Sequence, residues 1–304
     1  MGEEAAILAA VAANPRDDLP RLAYADWLDD HAADLPDPEA ARLRAEFVRV
    51  QCEIARVEHL PSPDLQRYAD LYRRQDALLT NHRRDLLGPL ADALGPNDVV
   101  FDRGLVSELT LDGWAFEATA AAIAALRPLP EVRVTGAERA LASLIECEYP
   151  GLVTRLDLQR ADREARPLDF TQRLWLIELV HAAEGAVFDR LRELNCEGCG
   201  LGDGDLRLLA RHPVGCPALT RLDLSGNELS DEGVRSLVGS PLWPRLTHLV
   251  LGANPLSDVA ATVLADAAAE SRLEYLNLRF TGLTSEGHRL LLRKFPRRTK
   301  LDLF

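Results

Sequence analysis

The sequence predicts an α/β repeat solenoid, with parallel strands along its concave side and helices along its convex side, preceded by an all-α N-terminal domain. The first observation is self-similarity. LTRLDLSGNELSDEGVRSL from 219, LTHLVLGANPLSDVAATVL from 246 and LEYLNLRFTGLTSEGHRLL from 273 align at steps of 27 residues, and LRELNCEGCGLGDGDLRLL from 191 precedes them at a step of 28. The second is that every unit opens with a short strand pattern and closes with a helical half, the signature of stacked repeats. The third is that residues 1–95 lack this period and place apolar residues at three- and four-residue steps, as helices do.

The helices come first. EEAAILAAVAA stops at Asn14-Pro15, and DLPRLAYADWLDD follows with Leu19, Leu22, Tyr24 or Ala25, and Leu28 at helical spacing. LPDP (35–38) breaks the chain. A third helix spans about 39–58, carried by Leu43, Phe47, Val50, Ile54 and Val57, and ends at Pro61 and Pro63. A fourth runs from Asp64 through Tyr68, Leu71, Leu78 and Leu79 toward Leu94, with a kink or split expected at Gly88-Pro89. At Gly95-Pro96 the character changes, and the domains are placed at 1–95 and 96–304. Val99–Phe101, Asp102-Arg103-Gly104 and LVSELTL read as strand, tight turn and strand.

Weaker units fill the interval before 191. VSELTL precedes FEATAAAIAAL, LPEVRV precedes ERALASLIE, and VTRLDL precedes TQRLWLIELVHAA after an insertion over 159–170. RTKLDL (298–303) reads as a closing strand, for about eight repeat strands.

A strand and helix of this size cannot bury an apolar face alone, but stacked copies can. Leu219, Leu222 and Leu224 and their equivalents therefore point inward, each contributing roughly 1.5–3 kcal/mol on burial. Asn227 and Asn254 sit where the chain leaves the strand and can bond loop backbone groups that burial would strand. Cys199 and Thr281 hold the same position in neighbouring units. Ser230, Ser257 and Thr284 are expected helix N-caps, with Asp231 and Asp258 in the first turn.

The best units match L-x-x-L-x-L-x-x-(N/C/T)-x-L and resemble leucine-rich repeats of the ribonuclease-inhibitor-like subfamily, closely over about 191–304 and loosely over 105–190. Residues 7–30 (ILAAVAANPRDDLPRLAYADWLDD) and 45–56 (AEFVRVQCEIAR) resemble the repeat-companion domain that precedes such repeats in some large-genome bacteria. The resemblance implies a bacterial, intracellular repeat protein, and brings no activity with it.

Composition limits the function. The chain of 304 residues is 47% hydrophobic, enough for a sizeable core, and its net charge of −13 argues against general nucleic-acid binding. Charge is uneven: residues 1–40 hold ten acids against Arg16 and Arg21, while no acid lies between 287 and 301, where Arg289, Arg293, Lys294, Arg297, Arg298 and Lys300 fall. These are solvated faces or the poles of a head-to-tail association. MGEEAAILAA lacks the basic start of a secretory leader, no apolar run suits a membrane span, and five scattered cysteines fit a reduced, cytoplasmic protein.

No catalytic motif, metal site or cofactor is expected. Cys196-x-x-Cys199 suggests zinc or redox chemistry, but repeat register puts Cys196 at a buried leucine position and Cys199 at the turn, in different surroundings. GCGLGDGD (198–205) is in register with an ordinary strand-to-helix turn rather than a phosphate loop. The acidic helix around Tyr24, Asp26, Trp27, Asp29, Asp30 and His31 is the one enzyme candidate. Asp26 and Asp30 repel at i, i+4 unless paired, with Arg21 or a metal as candidate partner. The structural reading has Tyr24, Trp27 and Leu28 anchoring the helix.

The remaining expectation is a protein-interaction scaffold. Residues between the leucines face outward, and the partner surface is placed at Arg221, Asp223, His248, Val250, Tyr275 and Asn277, with Phe280 just beyond. The partner is a protein, not nucleic acid or membrane. The alternative makes the N-terminal helical domain an enzymatic or signalling unit that the repeats target; alternatively the helices only cap the first repeat.

Overall fold

The computed structural model describes residues 2–62, 64–136, 144, 148–158, 188–211 and 216–304. Apart from Leu144, the expected helices ERALASLIE and TQRLWLIELVHAA and the insertion between 159 and 170 lie outside the described residues. The chain forms two compact units, Met1–Thr110 with Ala118–Glu131, and Leu111–Glu117 with Val132–Phe304.

The first unit begins with α1 (Glu3–Ala13), α2 (Leu19–Asp30), α3 (Pro38–Glu58), α4 (Leu65–Asn81) and α5 (Arg83–Leu87). Asp37 starts α3 by accepting the Glu39 and Ala40 amides, and Asp64 does the same for α4 with Gln66 and Arg67. The expected long fourth helix breaks earlier than Gly88. His82 leaves the helical region at φ −128°, and its Nδ1 lies 3.1 Å from Asp85 Oδ2, while Gly88 at φ +55° ends the next short helix.

An antiparallel hairpin of β1 (Val99–Asp102) and β2 (Leu105–Asp112) packs with these helices. Leu105 joins the core of Leu8, Tyr24, Leu28 and Val48, and Phe101 meets Phe47 edge-on at 4.9 Å. The hairpin tip explains the Asp102-Arg103-Gly104 sequence. Gly104, at φ +85°, donates its N–H to Gln51, and a Cβ there would fall on the Val48 backbone. Arg103 Nε lies 2.7 Å from Asp18, and buried Arg21 lies 3.2 Å from Asp102.

The chain continues through α6 (Gly113–Ala125), β3 (Glu131–Thr135), β4 (Arg155–Asp157), β5 (Glu193–Asn195), α7 (Asp203–Arg211), β6 (Arg221–Asp223), α8 (Asp231–Val238), β7 (His248–Val250), α9 (Asp258–Asp266), β8 (Tyr275–Asn277), α10 (Ser285–Lys294) and β9 (Lys300–Asp302). Strands β3 to β9 pair in parallel and in chain order. Leu194, Leu222, Leu249, Leu276 and Leu301 stand in register across five of them. Helices α7 to α10 pack as successive neighbours. This is the expected α/β solenoid following an all-helical N-terminal region.

Two side-chain ladders tie repeat to repeat. Buried Asn227 accepts the Leu201 amide at 2.9 Å and donates to the Cys196 and Leu224 carbonyls. Asn254 accepts the Leu229 amide at 3.1 Å and donates to the Leu224 and Leu251 carbonyls. Each asparagine thus satisfies backbone groups of its own turn and of the preceding one.

The second ladder joins the helix starts. Ser230, Ser257 and Thr284 cap α8, α9 and α10, as expected. Their N–H and hydroxyl groups are in turn held by Asp203, Asp231 and Asp258 of the preceding repeat, with each amide donating at 2.8 Å. A Cβ on Gly287 would meet the Asp258 carboxylate as it stands, whereas the preceding repeat seats Ala260 beside Asp231.

Leu222 is 2% exposed and Arg221 points away from the core. Leu222→Ala is expected to cost about 2–5 kcal/mol and Arg221→Ala less than about 0.5 kcal/mol, read by urea unfolding. Equal costs would reverse the assigned faces. Asn254→Ala leaves several buried backbone groups unpaired, and a loss of about 2 kcal/mol or more is expected in the same assay. The Thr284 hydroxyl and amide hold the Asp258 carboxyl below its ordinary value. Its contribution is therefore present above the unfolded value, about 3.9, and is lost as pH falls through the lower folded value. Asp258→Ala should destabilise at neutral pH, and its difference from the wild type should shrink in acid. A pH-independent difference across acid urea melts would contradict this.

Candidate binding surface

Strands β5 to β8 are each three residues long, and in each the middle leucine is buried while the first and third residues face away from the core. Parallel pairing turns these positions into two rows. Glu193, Arg221, His248, Tyr275 and Lys300 form one row; Asn195, Asp223, Val250, Asn277 and Asp302 form the other. Neighbours within a row are one strand spacing apart, about 4.8 Å.

The structure thus places Arg221, His248 and Tyr275 side by side, with Asp223, Val250 and Asn277 beside them. The His248 and Tyr275 rings lie 6.0 Å apart, tilted by 36°. His248 Nδ1 is 3.0 Å from the Thr247 hydroxyl. Burial and then the Arg221 charge lower the His248 pKa, against the pull of Glu274 and Glu193. The Tyr275 hydroxyl donates to Asp302 at 3.3 Å and accepts from Asn277 Nδ2 at 3.2 Å, while Lys300 Nζ lies 5.5 Å from its ring centre. Phe280 stands apart, in the turn after β8, 79% exposed and with the Arg279 guanidinium 5.1 Å from its ring.

Two of these residues also serve the turn. Asp223 Oδ1 accepts from the Ser225 amide at 2.9 Å and its hydroxyl at 2.6 Å, and Asn277 Oδ1 accepts from the Arg279 amide at 2.9 Å. Asn195 does the same with Glu197. This is the Asx turn, in which the side chain closes a ring with the amide two residues on. Burial raises the Asp223 pKa, with Asp157 and Glu193 adding to it and the Ser225 bonds opposing it. Sequence reading missed Lys300 and Asp302 as neighbours of Tyr275. The signal was present: RTKLDL in register with LEYLNL puts Lys300 and Asp302 beside Tyr275 and Asn277.

The acidic helix α2 is organised differently from expectation. Arg49 from α3, not Arg21, bridges its carboxylates, at 2.7 Å to both Asp26 and Asp29. Arg21 is drawn to Asp102 instead. His31 stacks on Trp27 at 4.7 Å, with Nδ1 3.0 Å from the Trp27 carbonyl. The Tyr24 hydroxyl lies 3.4 Å from Glu4, and burial raises its pKa.

Cys196 occupies its leucine position and is fully buried, as is Cys199. The two were expected in different surroundings but share one: the Cys199 thiol and burial together push the Cys196 thiol up. The Cys196 thiol is thereby disfavoured as a thiolate. Among the described residues no group of three or more His, Cys, Asp or Glu side chains is arranged to hold a metal ion. None of the described helices is long and apolar enough to cross a membrane.

The family model described as Leucine Rich repeat matches residues 215–238. No curated protein matches the chain. A solved structure, the crystal structure of a protein from Bacteroides fragilis, is similar at 16% identity and a TM-score of 0.32. The match covers 58% of this chain and 66% of that one, just under two thirds of its length. The matched segment holds β6 and α8, and β5 with α7, β7 with α9 and β8 with α10 repeat the same strand–helix unit around it, an architecture compatible with a leucine-rich-repeat solenoid.

Proposed function

We propose that this protein is a non-catalytic scaffold that binds a protein partner on the strand face, over Arg221, Asp223, His248, Val250, Tyr275 and Asn277, with Phe280 at the margin. Leucine-rich repeats generally mediate protein–protein interaction. The observation that carries the reading is the contrast between the two sides of the strands. The inward positions repeat one residue, Leu222, Leu249 and Leu276, whereas the outward positions at the same register differ in charge, size and aromaticity. Packing accounts for the first set and not for the second.

The repeats belong, in this reading, to the ribonuclease-inhibitor-like subfamily, with a bacterial repeat-companion domain over 1–95 ahead of repeats over 96–304. The thiols of Cys52, Cys196, Cys199 and Cys216 are free, which suits a cytoplasmic protein. The net charge of −13 favours a protein partner over nucleic acid. The alternative, an enzymatic or signalling role for the helical domain, draws little from α2, whose Asp26 and Asp29 are both committed to Arg49.

Affinity capture from native host extract, comparing wild type with a His248→Ala, Tyr275→Ala, Asn277→Ala triple variant of unchanged fold, tests the surface. Loss of the partners recovered by the wild type is expected. Equal recovery would place the interface elsewhere.

A further inference from the structure

In the turns after β5, β6, β7 and β8 the third position past the strand has positive φ. Gly198 and Gly226 fill it at φ +65°, Ala253 at +54° and Phe280 at +57°. Glycine enters this left-handed region freely, whereas a bulky side chain there is rare and strained. Repeat geometry therefore accounts for the backbone at residue 280 but not for its phenyl ring. Core packing does not account for the ring either, since the residue is 79% exposed. A bulky side chain held in this region is an outlier of the kind that clusters at binding sites.

Two cations, Arg279 over the Phe280 ring and Lys300 over the Tyr275 ring, are also under-used. Among the described residues, the Arg279 side chain donates no hydrogen bond and approaches one carboxylate, Asp302, at 3.8 Å. Lys300, over the Tyr275 ring, has no carboxylate within ion-pair distance among the described residues. A guanidinium carries five donors and an ammonium three. We infer that Phe280 is the anchor of the interaction surface, and that it takes an acidic polypeptide segment that covers the ring with an apolar side chain and meets Arg279 and Lys300 with carboxylates. This rests on the strand-face reading above.

The test separates folding from binding. Phe280→Gly gives this turn the residue that two sister repeats use, so its melting temperature should equal or exceed that of the wild type. A fall of about 4 °C or more would make the ring a folding element and overturn the inference. Peptides are then selected on the wild-type protein from a random-peptide phage library, synthesised, and titrated by fluorescence anisotropy. The selected peptides should be rich in Asp and Glu around an apolar residue, and should bind Phe280→Gly about tenfold or more weakly. No enrichment, enrichment without carboxylates, or equal binding to Phe280→Gly overturns the inference. The His248, Tyr275, Asn277 triple variant distinguishes the two readings. Binding lost in the triple variant and kept in Phe280→Gly removes the anchor and leaves the strand face; binding kept in both removes both.

Discussion

A three-residue strand offers one leucine to the core and leaves the backbone groups of its turns without partners of their own. Nothing inside a single repeat corrects either deficit. Leu222 is buried because Leu194 and Leu249 flank it in register, and the Leu201 and Leu229 amides are satisfied because Asn227 and Asn254 reach back one repeat. The dependence is therefore mutual between neighbours, and local within the stack. It follows from the cost of burying an unpaired amide as much as from apolar burial.

The same constraint frees the outward positions. Once register is set by leucines and asparagines, the residues between them carry little of the fold, and they can vary in chemistry. Asp223 and Asn277 are intermediate cases. Each closes an Asx turn through one side-chain oxygen and presents the rest of the side chain on the wall. Phe280 lies at the other extreme, at a place where the fold asks only for a backbone conformation.

The repeat half was legible because its information is periodic. The 27-residue step gave the strands, the inward leucines, the turn asparagines and the caps at Ser230, Ser257 and Thr284, all of which are local in sequence. What the sequence withheld was pairing between distant residues. Asp203, Asp231 and Asp258 read as first-turn acids that favour a helix dipole, yet each also holds the cap of the next repeat. In α10, from which the chain passes into β9, Ser285 takes that place, a hint visible only after the ladder is known. In the helical unit, Arg21 was the sequence-adjacent candidate for the acids of α2, and tertiary placement instead brings Arg49 to Asp26 and Asp29 and Arg21 to Asp102. The break at His82 was hidden because a histidine is a weaker stop signal than Gly88-Pro89.

The central claim is that adjacent repeats stabilise each other through leucines stacked in register. A double-mutant cycle on Leu222→Ala and Leu249→Ala, measured by equilibrium urea unfolding, addresses it most directly. Contacting residues in a shared core should show a coupling of about 0.5–3 kcal/mol. Strictly additive costs would mean that the two side chains do not meet, and would contradict the stacked arrangement.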